Sequence, residues 1–577
     1  MRRIKYILFA FVMLCLSQNV WAGIITINNQ NDFDLLQSKI EEAIKAGDKN
    51  IVVSFGRGPF YYKDDHVLLR DVYGKDVTLS FKGNKTKIIS AGRQYHKGDV
   101  YDGDFSTKNV WLNHDLKDLF IWGKMYQSDR IVEIIDEKTK LCKIHSPEFN
   151  LSPEKVGPNS WLQLTEWYMS GTYKIERVEG NDVYFTAHDL KPGLAAYGNY
   201  NVNYDYTVVK CYPRFRVCNM GDAKAALNIV VGQPVSQDFY ECQSSTFLQI
   251  YGTDFRHIDI SGVNFYGNAG KSMLIRLLGA RVSEGINIHN CEFHGIKSMA
   301  VYMMQTSNSC ISNCHFEDCY DHVLLAISKV KNIRITDNYF LNTGKGLRST
   351  FSIHCQCKNF YVANNTLVNF GQGGIAIGTG AKDVDEGNGE VEDNVLYFTD
   401  EYAEYARKSS LIDGGAIYLY TKNDGTAVRY NRIHNYTGAH SNRGIYCDDG
   451  AYGFTLYGNI VTGNLNSNFI DSRLVPSANL PTNTNNVMEY NIVEGRYKFE
   501  GSTKAGNGCR KGKNIVLNVA EGEPYMTVLG KFEKAEDDVH LEYKSNRDLS
   551  IVVPRSTQQE LKKLPFYSRI KKYIIVR

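Results

Sequence analysis

The hexapeptides ITDNYF (335–340), VANNTL (362–367) and VEDNVL (391–396) share one pattern: a branched aliphatic residue, an asparagine at the fourth place and a large apolar residue at the sixth. Extending outward, the pattern recurs as ISGVNF at 260, IHNCEF at 288, ISNCHF at 311, VRYNRI at 428, LYGNIV at 456 and MEYNIV at 488. The nine copies are spaced by 28, 23, 24, 27, 29, 37, 28 and 32 residues. The fourth position is Val263, then Cys291 and Cys314, then Asn338, Asn365, Asn394, Asn431, Asn459 and Asn491. Spacing in the twenties is one coil of a β-solenoid, each coil stacking in register on the last. Asparagines repeated at one corner can bond amide to amide along the stack, and asparagine also suits the left-handed backbone of a sharp turn. Cysteine fills the same inward slot as a small apolar residue. Leucine-rich repeats have a similar period, but their LxxLxL signature is missing. The expected fold class is all-β, a right-handed parallel β-helix.

Between the copies lies a second set of strand-like runs: AVYMMQT (300–306), HVLLAIS (322–328), FSIHCQC (351–357), GGIAIGT (373–379), GGAIYLY (414–420), GIYC (444–447) and NFID (468–471). These read as successive rungs of one sheet. Strand alternation puts Ile445 and Cys447 inward and Tyr446 and Asp448 outward.

The flanks read differently. FDLLQSKIEEAIKA (33–46) is an amphipathic helix ending before Gly47, suited to capping the open end of a solenoid. From about 95 to 240 the repeat vanishes, and runs such as RIVEII and KIERVEGNDVYFTA suggest an inserted antiparallel β domain. It holds Trp111, Trp122, Trp161 and Trp167, suited equally to a sugar-stacking surface or to the insert's own core. The expected layout is a leader (1–22), N-terminal cap and first coils (23–94), insert (95–240), parallel repeats (241–500), and C-terminal coils with a cap (501–577). In that last part STQQELKKLPFYSRIKKY (556–573) suggests a short helix closing the far end.

Composition narrows the function. A net charge of +3 with no long basic run argues against a nucleic-acid partner. Thirty-eight Tyr and 49 Gly against 12 Pro fit a turn-rich β protein that handles sugars. MRRIK, then YILFAFVMLCL, then SQNVWA has the layout of a secretory leader. Its apolar stretch is too short to span a bilayer comfortably, so no membrane span is expected after cleavage. The mature chain then belongs in the periplasm, on the cell surface or outside the cell. Twelve cysteines remain after residue 22, an even number that invites disulfides. Cys355 and Cys357, one residue apart on a strand, share a face and read as small buried residues rather than a pair. No second CxxC with suitable spacing supports a zinc site, and no metal ligands are proposed.

The richest supply of acids beside strand ends is DGGAIY (413–418) and GIYCDDG (444–450). Asp413 precedes two glycines where backbone can bend towards a ligand; Asp448 and Asp449 close the next rung. Each has an ordinary reading as a turn residue, the stronger reading for Asp449. Asp321 and His322 offer an acid and an imidazole on an earlier rung. His354 is either a groove residue or a satisfied core histidine. Arg443 and Arg473 are placed to hold a substrate carboxylate, or simply to solubilise the surface.

The repeat, the insert, DGGAIY and GIYCDDG together resemble the secreted right-handed β-helix proteins of the pectin-lyase-like superfamily. They are most similar to its β-helix glycoside hydrolases, in families with α-L-fucosidase and β-xylosidase members. The resemblance implies a polysaccharide or oligosaccharide substrate and no cofactor. It nominates Asp413 and Asp448 as catalytic acid and base or nucleophile, with Asp449 as substitute. Asp321, His322, Arg443, Tyr446 and Asp471 are the candidate substrate-binding residues. A polysaccharide lyase, with Arg443, Arg473 or a lysine as base and Ca²⁺ against a uronate, is the alternative; a glycan-binding scaffold is a third. Geometry weighs against the first pair. If Ile417 stacks on Ile445, Asp413 and Asp448 are seven residues out of step, about 23 Å on straight strands. Paired glycosidase carboxyls stand about 5–9.5 Å apart. Asp448 with Asp471, one rung later, is the competing pair.

Overall fold

The computed structural model describes residues 22–577 apart from 71–72, 91–92, 103–109, 118–121, 129–131, 150–159, 167–168, 188–213, 220–231, 253, 270–271, 280, 345–349, 379–385, 409–413, 421, 439–441, 449, 464–467, 473–484, 495, 500–509, 512–513, 518–539, 546–547, 554 and 577. Residues 1–21 of the expected leader and Arg473 therefore lie outside the described residues.

The chain winds into a right-handed parallel β-helix with three strands per coil. One coil runs Ile286–His289, Glu292–Ile296 and Val301–Met304, and each strand pairs in parallel with its counterpart one coil later. The three resulting sheets are called here sheet 1, sheet 2 and sheet 3 in that order. Alternation sends Ile260, Ile288, Ile311 and Ile335 of sheet 1 into the core. From sheet 2, Phe265, Phe293, Phe316 and Phe340 stack at centroid spacings of 5.2, 4.7 and 4.8 Å.

The asparagine corner joins sheet 1 to sheet 2. Asn338, Asn365, Asn394, Asn431, Asn459 and Asn491 each donate from Nδ2 to the Oδ1 of the next member at 2.9–3.0 Å. The same Oδ1 accepts from the backbone N–H below at 2.9–3.1 Å. The ladder runs one step past the sequence pattern, to Asn514, and starts at Cys314, whose N–H meets Asn338 Oδ1 at 2.9 Å. The left-handed position is one residue earlier than expected: Asn290, Asn313, Asp337, Asn364, Asp393, Tyr430, Gly458 and Tyr490 have positive φ. The ladder asparagines thus serve hydrogen bonding, and the residue before each one makes the turn.

The insert interrupts the chain but not the stack. Tyr73–Ser90 pairs directly with Asp254–Asn268, and Val67–Arg70 with Leu248–Tyr251. From the intervening chain comes a seven-stranded antiparallel sheet, spanning Trp122–Gln127 to Arg214–Asn219 in sequence, with its own core around Leu162, Ile175, Val183 and Phe185. The side chains of all four of its tryptophans fall outside the described set.

The expected N-terminal helix is two helices, α1 (Gln30–Asp34) and α2 (Leu36–Lys45), hinged at Leu35. Asn29 caps α1 by accepting from Asp32 N–H at 2.9 Å, and Phe33, Leu36 and Ile40 are fully buried against the first coils. A third helix, α3 (Asp400–Lys408), lies between strands of sheets 2 and 3. At the C-terminus α4 (Arg555–Leu561) and α5 (Tyr567–Ile570) do not plug the far end. They lie on the outer side of sheet 2, where Leu561, Leu564, Phe566 and Ile570 pack on Ile460 and Ile492. The outward column of sheet 2 turns apolar at those two isoleucines and needs cover from water.

The nine cysteines whose side chains are described are free thiols, and Cys355 and Cys357 both point into the core. No helix among the described residues is long and apolar enough to cross a membrane.

Candidate active site

The register of sheet 3 collects one outward column from distant parts of the chain. Tyr302 pairs with Leu325, Leu325 with His354, His354 with Ala376, Ala376 with Tyr418, Tyr418 with Tyr446, and Tyr446 with Asp471. Ile417 does stack on Ile445, and Ile445 and Cys447 face the core as alternation requires. Outside the core, Phe351, Ala376, Tyr418, Tyr446 and Tyr420 form a separate aromatic cluster.

Around that cluster sits a buried polar network. Asp448 follows the Arg443–Cys447 strand and is 9% exposed; its Oδ2 accepts a short hydrogen bond from the Tyr418 hydroxyl. The Tyr418 ring meets Tyr446 edge-on at 5.1 Å and Tyr420 at 5.4 Å. Tyr446 is fully buried, and the Arg443 guanidinium, itself 4% exposed, lies 3.9 Å from the centre of its ring. That stacking fixes the arginine's plane at little entropic cost.

The Tyr420 hydroxyl reaches His354 Nε2 at 2.6 Å, where the Gln356 amide also arrives at 3.2 Å. Burial, and then the neighbouring His322, lower the His354 pKa to about 3, so the imidazole is neutral. Nε2 also lies 3.1 Å from the Gly378 carbonyl, which can only accept, so the ring proton sits on Nε2, and Nδ1 has no partner among the described residues. His322 stacks on His354 at 5.4 Å and takes Asp321 Oδ1 on its own Nδ1 at 3.0 Å. His354 is thus on the outer face, hydrogen-bonded to its neighbours, and not part of the hydrophobic core.

Glu386, which the sequence reading passed over, belongs to the same neighbourhood. It is partly buried, and burial raises its carboxyl to about 8, with a hydrogen bond from Asn423 opposing the shift. Its Oε2 has no partner among the described residues. Burial pushes the Tyr420 phenol up, and the charges of Glu386 and Asp448 push it further.

Of the nominated residues, the structure gathers His322, Arg443, Tyr446 and Asp448, with Asp321 at the margin. Asp413 and Asp449 lie outside the described residues. Gly414, next to Asp413 in sequence, is needed for packing: a Cβ there would fall 2.2 Å from the Tyr436 hydroxyl and 2.7 Å from Asn442 Oδ1. Asp471 takes the register place of Tyr446, so it stands two residues out of step with Asp448, one rung on. Its side chain is not among those described. Among the described residues no three His, Cys, Asp or Glu side chains converge as a metal site.

The family model for the right-handed β-helix region matches residues 242–397. The fold is that of a right-handed parallel β-helix. A solved structure described as a glycoside hydrolase superposes with a TM-score of 0.50 at 12% identity, covering 85% of this chain and 96% of that one. Others include XylC in complex with xylose (TM-score 0.34, 10% identity, 88% and 85% covered) and a family 28 exopolygalacturonase of Yersinia enterocolitica (0.28, 13%, 87% and 79%). At such identities the likeness is one of fold alone. No curated protein matches the sequence.

Proposed function

We propose that the protein hydrolyses glycosidic bonds of a polysaccharide on the outer face of sheet 3. One observation carries this reading: a polar network buried outside the hydrophobic core, in which Asp448 accepts from the Tyr418 hydroxyl and both Glu386 and Asp448 act electrostatically on Tyr420. Polar groups buried outside the core cost stability unless each is paired, and Glu386 Oε2 has no partner among the described residues. Glu386 is the acid, since a carboxyl with a pKa of about 8 still carries its proton at neutral pH and can deliver it to a leaving oxygen. Asp448 is its partner, as nucleophile or as base towards water, oriented by the Tyr418 hydroxyl. Arg443, His322 and Asp321 are substrate-binding residues, and Tyr446 positions Arg443 from beneath. Asp471 holds the next register place after Tyr446.

A polysaccharide lyase is the second reading. The stacked Arg443 suits a uronate carboxylate, which its guanidinium can receive in a charge-assisted pair. The leader-like first 22 residues add that either chemistry takes place beyond the inner membrane, in the periplasm or at the surface. Fractionating cells that express the full chain tests that point.

The deciding experiment incubates residues 23–577 with plant and host polysaccharides, with and without chelator. Reducing ends and ultraviolet absorbance are both followed. Hydrolysis predicts new reducing ends without absorbance, and a fall of about 10²–10⁴-fold in Asp448→Asn and Glu386→Gln. An unsaturated, absorbing product would move the assignment to the lyase. Silence across a broad panel would leave a glycan-binding scaffold.

A further inference from the structure

The outward column of sheet 3 continues beyond the Asp448 network towards the N-terminal end of the solenoid. Leu248–Tyr251, Ile275–Leu278 and Val301–Met304 stack in parallel, so Gln249, Arg276 and Tyr302 hold three successive register places of that column. Ile275 and Leu277 point into the core, which turns Arg276 outward. The next two places are Leu325 and His354. Arg276 therefore stands three rungs from His354, about 14 Å at about 4.8 Å per rung.

This half-buried arginine is barely held by the fold. Its Nε is sealed from water without a hydrogen-bond partner, and its Nη1 meets only Gln249 Oε1, at 3.5 Å. No carboxylate pairs with it among the described residues, whereas Arg256 is paired with Glu284 at 2.9 Å and Arg429 with Glu392 at 2.8 Å. Gln249 is 6% exposed and makes no other hydrogen bond among the described residues. A buried amide and a guanidinium thus meet at the limit of hydrogen-bond range, both with donors to spare. Buried donors left unpaired cost stability, and an acceptor arriving between them would remove that cost. From Arg276 towards His354 the outer surface is formed by the half-buried Tyr302, Met304 and Ile327, with one phenol as its polar group.

We infer that Arg276 and Gln249 form a subsite for the carboxylate of a uronic-acid unit in the bound glycan, several sugars away from the Asp448 network. Guanidinium and carboxylate match in a planar two-bond geometry, and the Gln249 amide adds a donor beside it. The Tyr302 ring in the next register place offers a flat face to the pyranose, and Met304 and Ile327 give the chain an apolar path along the rungs. The glycan then runs along the solenoid axis, with its acidic unit on the N-terminal side of the bond that is cut. That direction rests on the hydrolase reading above; capture of the carboxylate does not.

The test is calorimetry on residues 23–577 carrying Asp448→Asn, so that turnover does not interfere. The probes are hexagalacturonate, the same hexasaccharide fully methyl-esterified, and a sulfated galactan hexasaccharide. Hexagalacturonate is expected to bind, and Arg276→Gln to weaken it at least about tenfold. The ester, which has lost its charges, should be insensitive to that change. Arg276→Gln breaks no ion pair, so its melting temperature should match the parent's. Gln249→Met keeps the volume, removes the amide and should cost severalfold in affinity. Failure of hexagalacturonate to bind overturns the proposal. Unchanged affinity in folded Arg276→Gln does the same, as does unchanged affinity in Gln249→Met should Arg276→Gln fail to fold. Sulfated galactan bound as tightly, and with the same dependence on Arg276, overturns the assignment to a carboxylate. Turnover is measured separately on the chain with Asp448 intact. Binding that depends on Arg276 without turnover keeps the subsite and sinks the hydrolase; turnover without that dependence does the reverse.

Discussion

In the proposed hydrolase, environment rather than residue type assigns Glu386 the task of the acid. Glu386 is held near 8 by burial, so the form able to donate a proton dominates below that pH and disappears above it. Hydrolysis should therefore lose kcat/KM as pH rises through about 8, and Glu386→Gln should abolish that limb along with most of the rate. A limb that persists in Glu386→Gln would assign the acid elsewhere. Tyr418→Phe tests Asp448 more gently. It removes one hydroxyl donor, so kcat should fall by roughly tenfold with KM little changed. Part of this arrangement was legible in the sequence. Alternation along GGAIYLY and GIYC placed Tyr446 and Asp448 outward, and the stacking of Ile417 on Ile445 exposed the poor match of Asp413 with Asp448. Glu386 was not legible: it lies in a connection between sheets 3 and 1, and only the fold brings it to Tyr420, 34 residues on.

The asparagine ladder is the element on which the fold rests, and its period made the fold legible. Asn514 escaped because Lys511 stands where the pattern has an aliphatic residue, yet its side chain continues the ladder. A second ladder, Asn308–Asn332–Asn359–Asn388, bonds amide to amide at 2.7–3.1 Å in full view of solvent. The two separate hydrogen bonding from burial. Asn394→Ala would strip partners from Asn365 N, Asn365 Nδ2 and Val362 O in the dry interior. At about 1–3 kcal/mol for each buried orphan, softened by relaxation, a loss of about 3–5 kcal/mol is expected in chemical denaturation. Asn359→Gly breaks equivalent amide contacts where water can replace them and keeps the left-handed backbone, so under about 1 kcal/mol is expected. Equal costs at the two positions would mean that the interior ladder is not the dry structure described. The C-terminal helices were misjudged for a related reason: the outward isoleucines they cover, Ile460 and Ile492, look in sequence like any strand residues.

At the scale of the whole molecule, buried titratable groups predict a stability maximum near pH 6.5. Burial lowers His66, His354 and His434 to about 4, 3 and 4, so each binds a proton more readily when unfolded. Their contribution is fully present above pH 6.5 and is lost as pH falls, at about 1.4 kcal/mol per pH unit for each group. Two groups act in the opposite sense. Burial would lower His294, but Glu292 and Glu317 on its two sides raise it to about 9; Glu386 is raised to about 8. Both hold protons in the folded state that the unfolded chain releases, so stability falls as pH rises, from about 6.5 for His294 and from about 4.5 for Glu386. Between pH 4.5 and 6.5 three histidines oppose one carboxyl and stability rises with pH; from 6.5 to 8 both remaining groups pull it down. Thermal melting from pH 4 to 9 should trace that dome, and melting temperatures that keep climbing from pH 7 to 9 would contradict it. Two variants separate stability from chemistry. His294→Gln should flatten the alkaline side of the melting curve and leave the alkaline limb of hydrolysis in place. Glu386→Gln should flatten both, because under the proposed mechanism that one carboxyl supplies the catalytic proton as well as the proton linked to folding.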